Sequence, residues 1–191
     1  MKTESGQGGL FERVRRSNLL VRVAIVLAAL VIGLMVVVGG FTTTVEATNS
    51  IEFCTSCHTM SYNYAEYKES VHYSNRSGVR AVCSDCHVPK KNWYSEMYRK
   101  LIAAEDVWAE ITGTIDTPEK FEARRAEMAK HEWARMKESD SIGCRNCHSF
   151  TAMNLVEQDK NAQNKHADAE AAGKTCIDCH KGVVHKLPRM H

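Results

Sequence analysis

Four copies of Cys-x-x-Cys-His carry the most specific chemistry in this chain: Cys54-Thr-Ser-Cys57-His58, Cys83-Ser-Asp-Cys86-His87, Cys144-Arg-Asn-Cys147-His148 and Cys176-Ile-Asp-Cys179-His180. Together they use all eight cysteines. This spacing is the attachment signature of c-type haem: each sulfur adds to a porphyrin vinyl group and the following histidine can reach the iron. A Cys-x-x-Cys pair also suits half of a zinc site or a redox dithiol, and an even cysteine count suits a disulfide framework. None of those alternatives explains a histidine at the same offset after every pair. The expectation is four covalently attached haem c groups, held by Cys54, Cys57, Cys83, Cys86, Cys144, Cys147, Cys176 and Cys179.

Each haem iron has two axial positions. Histidine on both sides makes a six-coordinate electron-transfer site, whereas an open position admits substrate. His87, His148 and His180 supply one side of the last three sites. The histidines outside the motifs are His72, His131, His166, His185 and His191. His72 and His166 lie inside the two motif pairs and His185 follows the fourth motif, which makes these three the candidate second ligands. His131 falls on a predicted helix, and His191 is the last residue, where chain ends fray; both are weaker candidates. In the first motif, Cys57-His58-Thr59-Met60 offers Met60 as well as His58, and chemistry alone leaves that choice open.

The elements that must position these groups read as helices and loops. Strand signals are nearly absent, so the expected fold class is an all-α, loop-rich multihaem cytochrome c, with a core that is largely porphyrin. The motifs form two pairs, giving two di-haem modules at about 50–92 and 140–191, joined by a helical insert. Within the insert, Met97, Leu101, Ala104 and Trp108 recur at helical spacing, so one helix is predicted over 97–108. It would carry Lys100 and Asp106 one or two turns apart; such a pair on a helix is ordinarily a solvated surface feature worth little. A second helix is predicted from Thr117-Pro118, an N-cap followed by proline in the first turn, to about Lys137. Its apolar stripe is Ala126, Ala129, Trp133 and Met136. Gly143 is expected to break the chain before the third motif.

A net charge of +2 on 191 residues, from 25 basic and 23 acidic groups, gives no basis for nucleic-acid binding. Apolar residues concentrate near the N-terminus. Val23 to Phe41 carries no charged residue, and with Leu19 to Val21 the stretch reaches the roughly 20 residues needed to cross a membrane. Lys2, Arg13, Arg15, Arg16 and Arg22 precede or open it, and the positive-inside rule keeps that side in the cytoplasm. The expected organisation is a cytoplasmic segment 1–18, a single transmembrane anchor 19–41 and a periplasmic tetrahaem domain 42–191. A cleaved signal peptide is the alternative, but its apolar region is normally only about 7–15 residues.

Beyond the haem motifs, the segments Ser70-Val-His-Tyr-Ser-Asn-Arg-Ser-Gly-Val-Arg80, Cys83-Ser-Asp-Cys-His-Val-Pro89, Ile115-Asp-Thr-Pro-Glu-Lys-Phe-Glu122, Cys144-Arg-Asn-Cys-His148 and Thr175-Cys-Ile-Asp-Cys-His-Lys-Gly-Val-Val-His-Lys-Leu-Pro188 resemble the NapC/NirT family of membrane-anchored multihaem quinol dehydrogenases, nearest its nitrate-reduction branch. The resemblance runs from the basic N-terminus to the end of the chain. It implies an inner-membrane protein that oxidises quinol, menaquinol or ubiquinol, and passes electrons to a periplasmic reductase, with nitrate reductase favoured. It implies Met60 as proximal ligand of the first haem, Asp106 (beside Glu105) at its distal side, and Lys100 in the quinol pocket. It further implies that His185 ligates the second haem and His72 the fourth, which leaves His166 for the third. A homo-oligomer is left open. Two other functions compete: a catalytic reductase of a small substrate such as nitrite, which needs an open iron, and a passive electron shuttle without quinol chemistry.

Overall fold

The computed structural model describes residues 18–88 and 90–189. Lys2, Arg13, Arg15, Arg16, Pro89 and His191 lie outside the described residues. The chain divides into two units, Met1–Thr48 and Asn49–His191.

In the first unit, α1 spans Leu19–Ala47. Asn18 caps it by accepting from the Val21 amide at 3.0 Å. At ~1.5 Å per residue it is about 44 Å long, against roughly 30 Å for a hydrocarbon core. An 18-residue stretch of it has a mean hydropathy of 2.9, and the helix is long and apolar enough to cross a membrane. The helix continues to Ala47 rather than stopping at Phe41. Thr42, Thr43 and Thr44 donate their hydroxyls back to the carbonyls of Val38, Gly39 and Gly40, so these polar side chains are satisfied inside the helix rather than ending it.

In the second unit the elements are α2 (Ile51–Cys54), α3 (Met60–Lys68), α4 (Cys83–His87), α5 (Trp93–Ile102), α6 (Ala104–Ile111), α7 (Pro118–Glu138), α8 (Ile142–Arg145), α9 (Lys160–Ala171) and α10 (Cys176–Cys179), with short 3₁₀ turns at Phe150–Ala152 and Leu155–Glu157. There is no strand among the described residues, in agreement with an all-α, loop-rich fold. The buried apolar side chains among the described residues are Tyr67, Ile115, Phe121 and Ile177. Phe121 packs on Tyr62 with ring centroids 5.4 Å apart. Above it, Arg125 forks onto Glu66 at 2.8 and 3.0 Å. Glu66 also accepts from the Lys186 amide at 3.0 Å. One half-hidden ion pair thus joins α3, α7 and the C-terminal segment that carries His185.

The long helix of the insert forms as expected: Thr117 accepts from the Lys120 amide and Pro118 opens α7. The other insert helix does not form in one piece. It starts earlier, at Asn92, whose side chain caps the Ser95 amide, and it breaks at Ala103 into α5 and α6. Hydrophobic periodicity carries across a single-residue turn, so the sequence pattern does not reveal the break. Gly143 is not a breaker either. It sits inside α8, and a Cβ there would lie 2.7 Å from the Cys86 carbonyl oxygen. The turn is made instead by Asp140 and Ser141, at φ 53° and 51°; Gly143 is needed because α8 presses its backbone onto α4.

α5 is amphipathic in the unusual sense. Glu96, Arg99 and Lys100 point inward and bond to Asn49 and the His87 carbonyl. Tyr94, Tyr98 and Leu101, at i, i+4 and i+7, are exposed.

Candidate functional site

The four motifs occupy two kinds of local structure. The second and fourth open a helix at their first cysteine, α4 and α10. In each, the aspartate before the second cysteine turns back onto the residue before the first: Val82 donates its amide to Asp85 at 2.8 Å and Thr175 to Asp178 at 2.9 Å. The first and third instead lie at the ends of short helices, α2 and α8. The residues ahead of them dock on their partner motif. Asn49 accepts from the buried Ser84 hydroxyl at 2.9 Å, and the buried Ser141 hydroxyl accepts from the Ile177 amide at 3.2 Å. The halves therefore repeat one docking arrangement, first motif on second and third on fourth.

The cysteines also approach across motifs. Cys54 lies close enough to interact with Cys83, Cys86 with Cys144, and Cys144 with Cys176. The motifs are contiguous in chain order. No two of the eight cysteines are joined by a disulfide, which leaves each sulfur available for thioether attachment. Among the described residues no cluster of three or more His, Cys, Asp or Glu makes a metal site of protein groups alone.

The histidines pair. His87 faces His185 with ring centroids 6.2 Å apart, His72 faces His148 at 6.2 Å, and His166 faces His180 at 5.9 Å. A metal held between two imidazoles sits about 2 Å from each nitrogen, with each ring centre about 1 Å farther, so the centroids should be about 6 Å apart. Nδ1 of His72 and of His185 is buried without a hydrogen-bond partner. The residues thus fit haem c. His72 stands opposite His148 of the third motif and His166 opposite His180 of the fourth, whereas the resemblance implied His72 for the fourth haem and His166 for the third. The reason is local. His72 is held by the Ala81 amide bonding its carbonyl at 3.1 Å, which fixes the 69–82 loop beside α4 and hence near α8. His166 rides on α9, directly before the fourth motif. His131 is exposed on α7 and faces no motif histidine among these ring contacts.

The first motif differs. His58 Nδ1 lies 2.7 Å from Glu110 Oε1, and its Nε2 lies 2.7 Å from the Asp116 carbonyl oxygen. Both ring nitrogens of His58 are thus turned toward protein oxygens rather than toward a second histidine. Met60, half-buried, opens α3 one turn away.

Lys100 and Asp106 lie on separate helices. Lys100 donates to Asn49 Oδ1 at 2.8 Å, beside the first motif, and its charge reaches Cys54. Asp106 is exposed as a residue, yet neighbouring atoms crowd its carboxyl. That desolvation raises its pKa against the pull of Arg99 and Arg135.

Several residues that bear on the site were not visible in the sequence. Glu132 accepts from His87 Nδ1 at 2.9 Å. Burial would raise its pKa, but the His87 hydrogen bond, followed by Arg135, brings it down to about 2. Gln158 Oε1 meets His166 Nδ1 at 2.6 Å. Glu110, Asp116 and Glu66 complete the set. The nearest sequence signal was the i, i+3 spacing of Glu132 and Arg135, which is common on any helix.

The profile of the NapC/NirT cytochrome c family, N-terminal region, matches residues 15–190. The chain is 48% identical over 183 residues to the denitrification system component NirT of Stutzerimonas stutzeri, covering 95% of this chain and 90% of that protein. It is 52% identical over 160 residues to the cytochrome c-type protein NapC of Escherichia coli K12, covering 83% and 80%. It is 54% identical over 144 residues to a putative tetraheme cytochrome-c type protein of Allochromatium vinosum, covering 75% and 78%. No solved structure matches. Haem c chemistry and an apolar N-terminal anchor helix thus coincide in one chain, which belongs to the NapC/NirT cytochrome c family.

Proposed function

We propose that this protein oxidises membrane quinol beside its first motif and passes the electrons through the other three to a periplasmic reductase, with nitrate reductase favoured. The observation that carries this reading is the asymmetry of the histidines. Three motif histidines face a second histidine at ring separations of 5.9–6.2 Å, whereas His58 has both nitrogens engaged elsewhere. Three sites suit six-coordinate relay; one suits electron input, with Met60 as its protein ligand. The docking of Asn49 on Ser84, of Gly143 against the Cys86 carbonyl and of Ser141 on Ile177 supports a relay in chain order.

Bound haem supplies a one-electron acceptor and takes up no protons. Oxidising a quinol releases two electrons and two protons, so side chains must receive the protons. Asp106, its pKa raised by desolvation, is suited to accept one. Lys100 is suited to hold a quinol oxygen by donating to it. The outward Tyr94, Tyr98 and Leu101 of α5 suit a surface that meets lipid. The proposed organisation is a cytoplasmic segment 1–18, the anchor, and a periplasmic unit built of two di-haem modules, which the repeated docking of Asn49 on Ser84 and Ser141 on Ile177 supports.

Asp106→Asn tests this reading in protein carrying its full haem content. Quinol-dependent haem reduction should fall on the order of 10²-fold, while chemical reduction by dithionite and reoxidation by an artificial acceptor are unchanged. Undiminished quinol oxidation would remove Asp106 from the pocket. Failure of the unaltered protein to be reduced by any quinol would favour the passive shuttle instead.

A further inference from the structure

The axial histidine candidates differ in what stands behind them. His87 gives its Nδ1 to the Glu132 carboxylate at 2.9 Å. Across the same ring pair, His185 Nδ1 lies 3.8 Å from Glu66 Oε2. His166 meets the neutral amide of Gln158, and the buried Nδ1 of His72 meets no hydrogen-bond partner. Only the second pair, among these, has a carboxylate behind each ring. Both carboxylates are well buried, with side chains 17% and 9% exposed. Both are also anchored: Glu132 by Arg135 and Arg99, Glu66 by the Arg125 fork. Neither can swing away, and the Arg99 guanidinium further ties this cluster to the His87 carbonyl at 3.1 Å.

We infer that Glu132, assisted by Glu66, is a positioning residue that sets the second haem at a more negative potential than a neutral second shell would give it. This rests on the reading that His87 and His185 ligate that haem. The physical reason is donor strength. For Nε2 to bind iron, Nδ1 must carry the proton, and its hydrogen bond fixes both tautomer and ring orientation. Donating that N–H to a carboxylate leaves more negative charge on the ring than donating to an amide does. A more basic imidazole stabilises the oxidised metal over the reduced one, which lowers the potential. At 3.8 Å, Glu66 makes no hydrogen bond and contributes by its charge alone, so its effect is the smaller. The guanidinium groups of Arg99, Arg135 and Arg125 act in the opposite sense. They moderate the carboxylates without replacing the hydrogen bond from His87. A low-potential step directly after electron input makes the second site one that electrons cross rather than rest on.

The experiment is a spectroscopically resolved redox titration of the full-length tetrahaem protein and three variants, with haem content and ferric spin state recorded for each. Glu132→Gln keeps an acceptor for Nδ1 but removes the charge. One of the four haem potentials should rise, with its low-spin bis-histidine signature retained and the other three unmoved. Glu132→Asp, which keeps the charge on a shorter arm, should fall between Gln and the unaltered protein. Arg135→Gln should move the same potential downward, a shift that general loosening of the fold would not produce. If both Glu132 variants retain all haem and shift no potential, the inference is overturned while the ligand assignment stands. If His87→Ala leaves every low-spin signal in place, the ligand assignment itself fails. Should Glu132→Gln lose haem, Arg135→Gln decides alone: an unmoved or raised potential refutes the inference.

Discussion

His58 and His87 each close a Cys-x-x-Cys-His motif, yet they stand in opposite kinds of surroundings. His87 sits on α4 with one nitrogen turned to Glu132 and the ring facing His185. His58 has both nitrogens held by Glu110 and the Asp116 carbonyl, groups that come from α6 and from the turn ahead of α7. A motif fixes where the cysteines are and leaves the histidine to its neighbours. In the proposed reading, a histidine with acceptors at both ring nitrogens is a strut, and one with a single acceptor keeps its other nitrogen for the metal.

That contrast can be broken most directly at Met60. Met60→Leu should abolish the native ligation of the first haem and change its ferric spectrum. His58→Ala should leave all four haems ligated as before and cost about 1–3 kcal/mol, since Glu110, with its side chain 15% exposed, loses its partner. Electron paramagnetic resonance of the two ferric variants decides it. New high-spin haem in His58→Ala, with none in Met60→Leu, would return His58 to the iron and remove the asymmetry on which the proposed electron input rests.

The parts legible in the sequence were those with local causes. Cys-x-x-Cys-His names its cofactor by spacing, Thr117-Pro118 starts α7 by capping chemistry, and the uncharged run to Phe41 makes a helix by composition. What escaped the sequence was set by tertiary contact. The break at Ala103 carries no glycine or proline; tertiary contacts hold α5 through Glu96 on Asn49 and α6 through Glu110 on His58. Gly143 looked like punctuation but serves the approach of two backbones. His72 and His166 were both recognisable as ligand candidates, but which motif each faces depends on how the 69–82 loop folds back through Ala81. Glu132 was unreadable because a glutamate on a charged helix has no local mark of burial.

The next comparison sets the docking of the third motif against that of a freer glycine. Gly143→Ala puts a methyl group within 3.0 Å of backbone atoms of Asp85 and Cys86, which cannot rotate out of the way. The holoprotein should lose about 2 kcal/mol, the cost of overpacking. Gly173→Ala meets no atom within 4 Å but sits at φ +61°, so it should lose only about 1 kcal/mol from backbone strain. Thermal denaturation followed by haem absorbance ranks them. Equal losses would mean that the α4–α8 approach is dispensable and that strain alone governs both sites.

The smallest effect separates the fourth motif from the rest by acid. Asp178 lies at the surface, where the Lys137 ammonium hydrogen-bonds to it at 2.7 Å and the Thr175 amide bonds its other oxygen. Lys137 first, then Thr175, hold its pKa down to about 2 from an ordinary 3.8. A depressed carboxyl binds fewer protons when folded than when unfolded, so its contribution favours the folded state at higher pH. It is complete above 3.8 and is lost as the pH falls through about 2. Haem propionates and other carboxyls titrate in the same range, so the readout is a difference between proteins. Asp178→Asn should show a shallower loss of stability than the unaltered protein between those limits, and Lys137→Gln should behave in the same direction but more weakly, because Thr175 still holds the carboxylate. Identical acid limbs in all three would mean that this ion pair, although formed, does not couple α7 to the fourth motif.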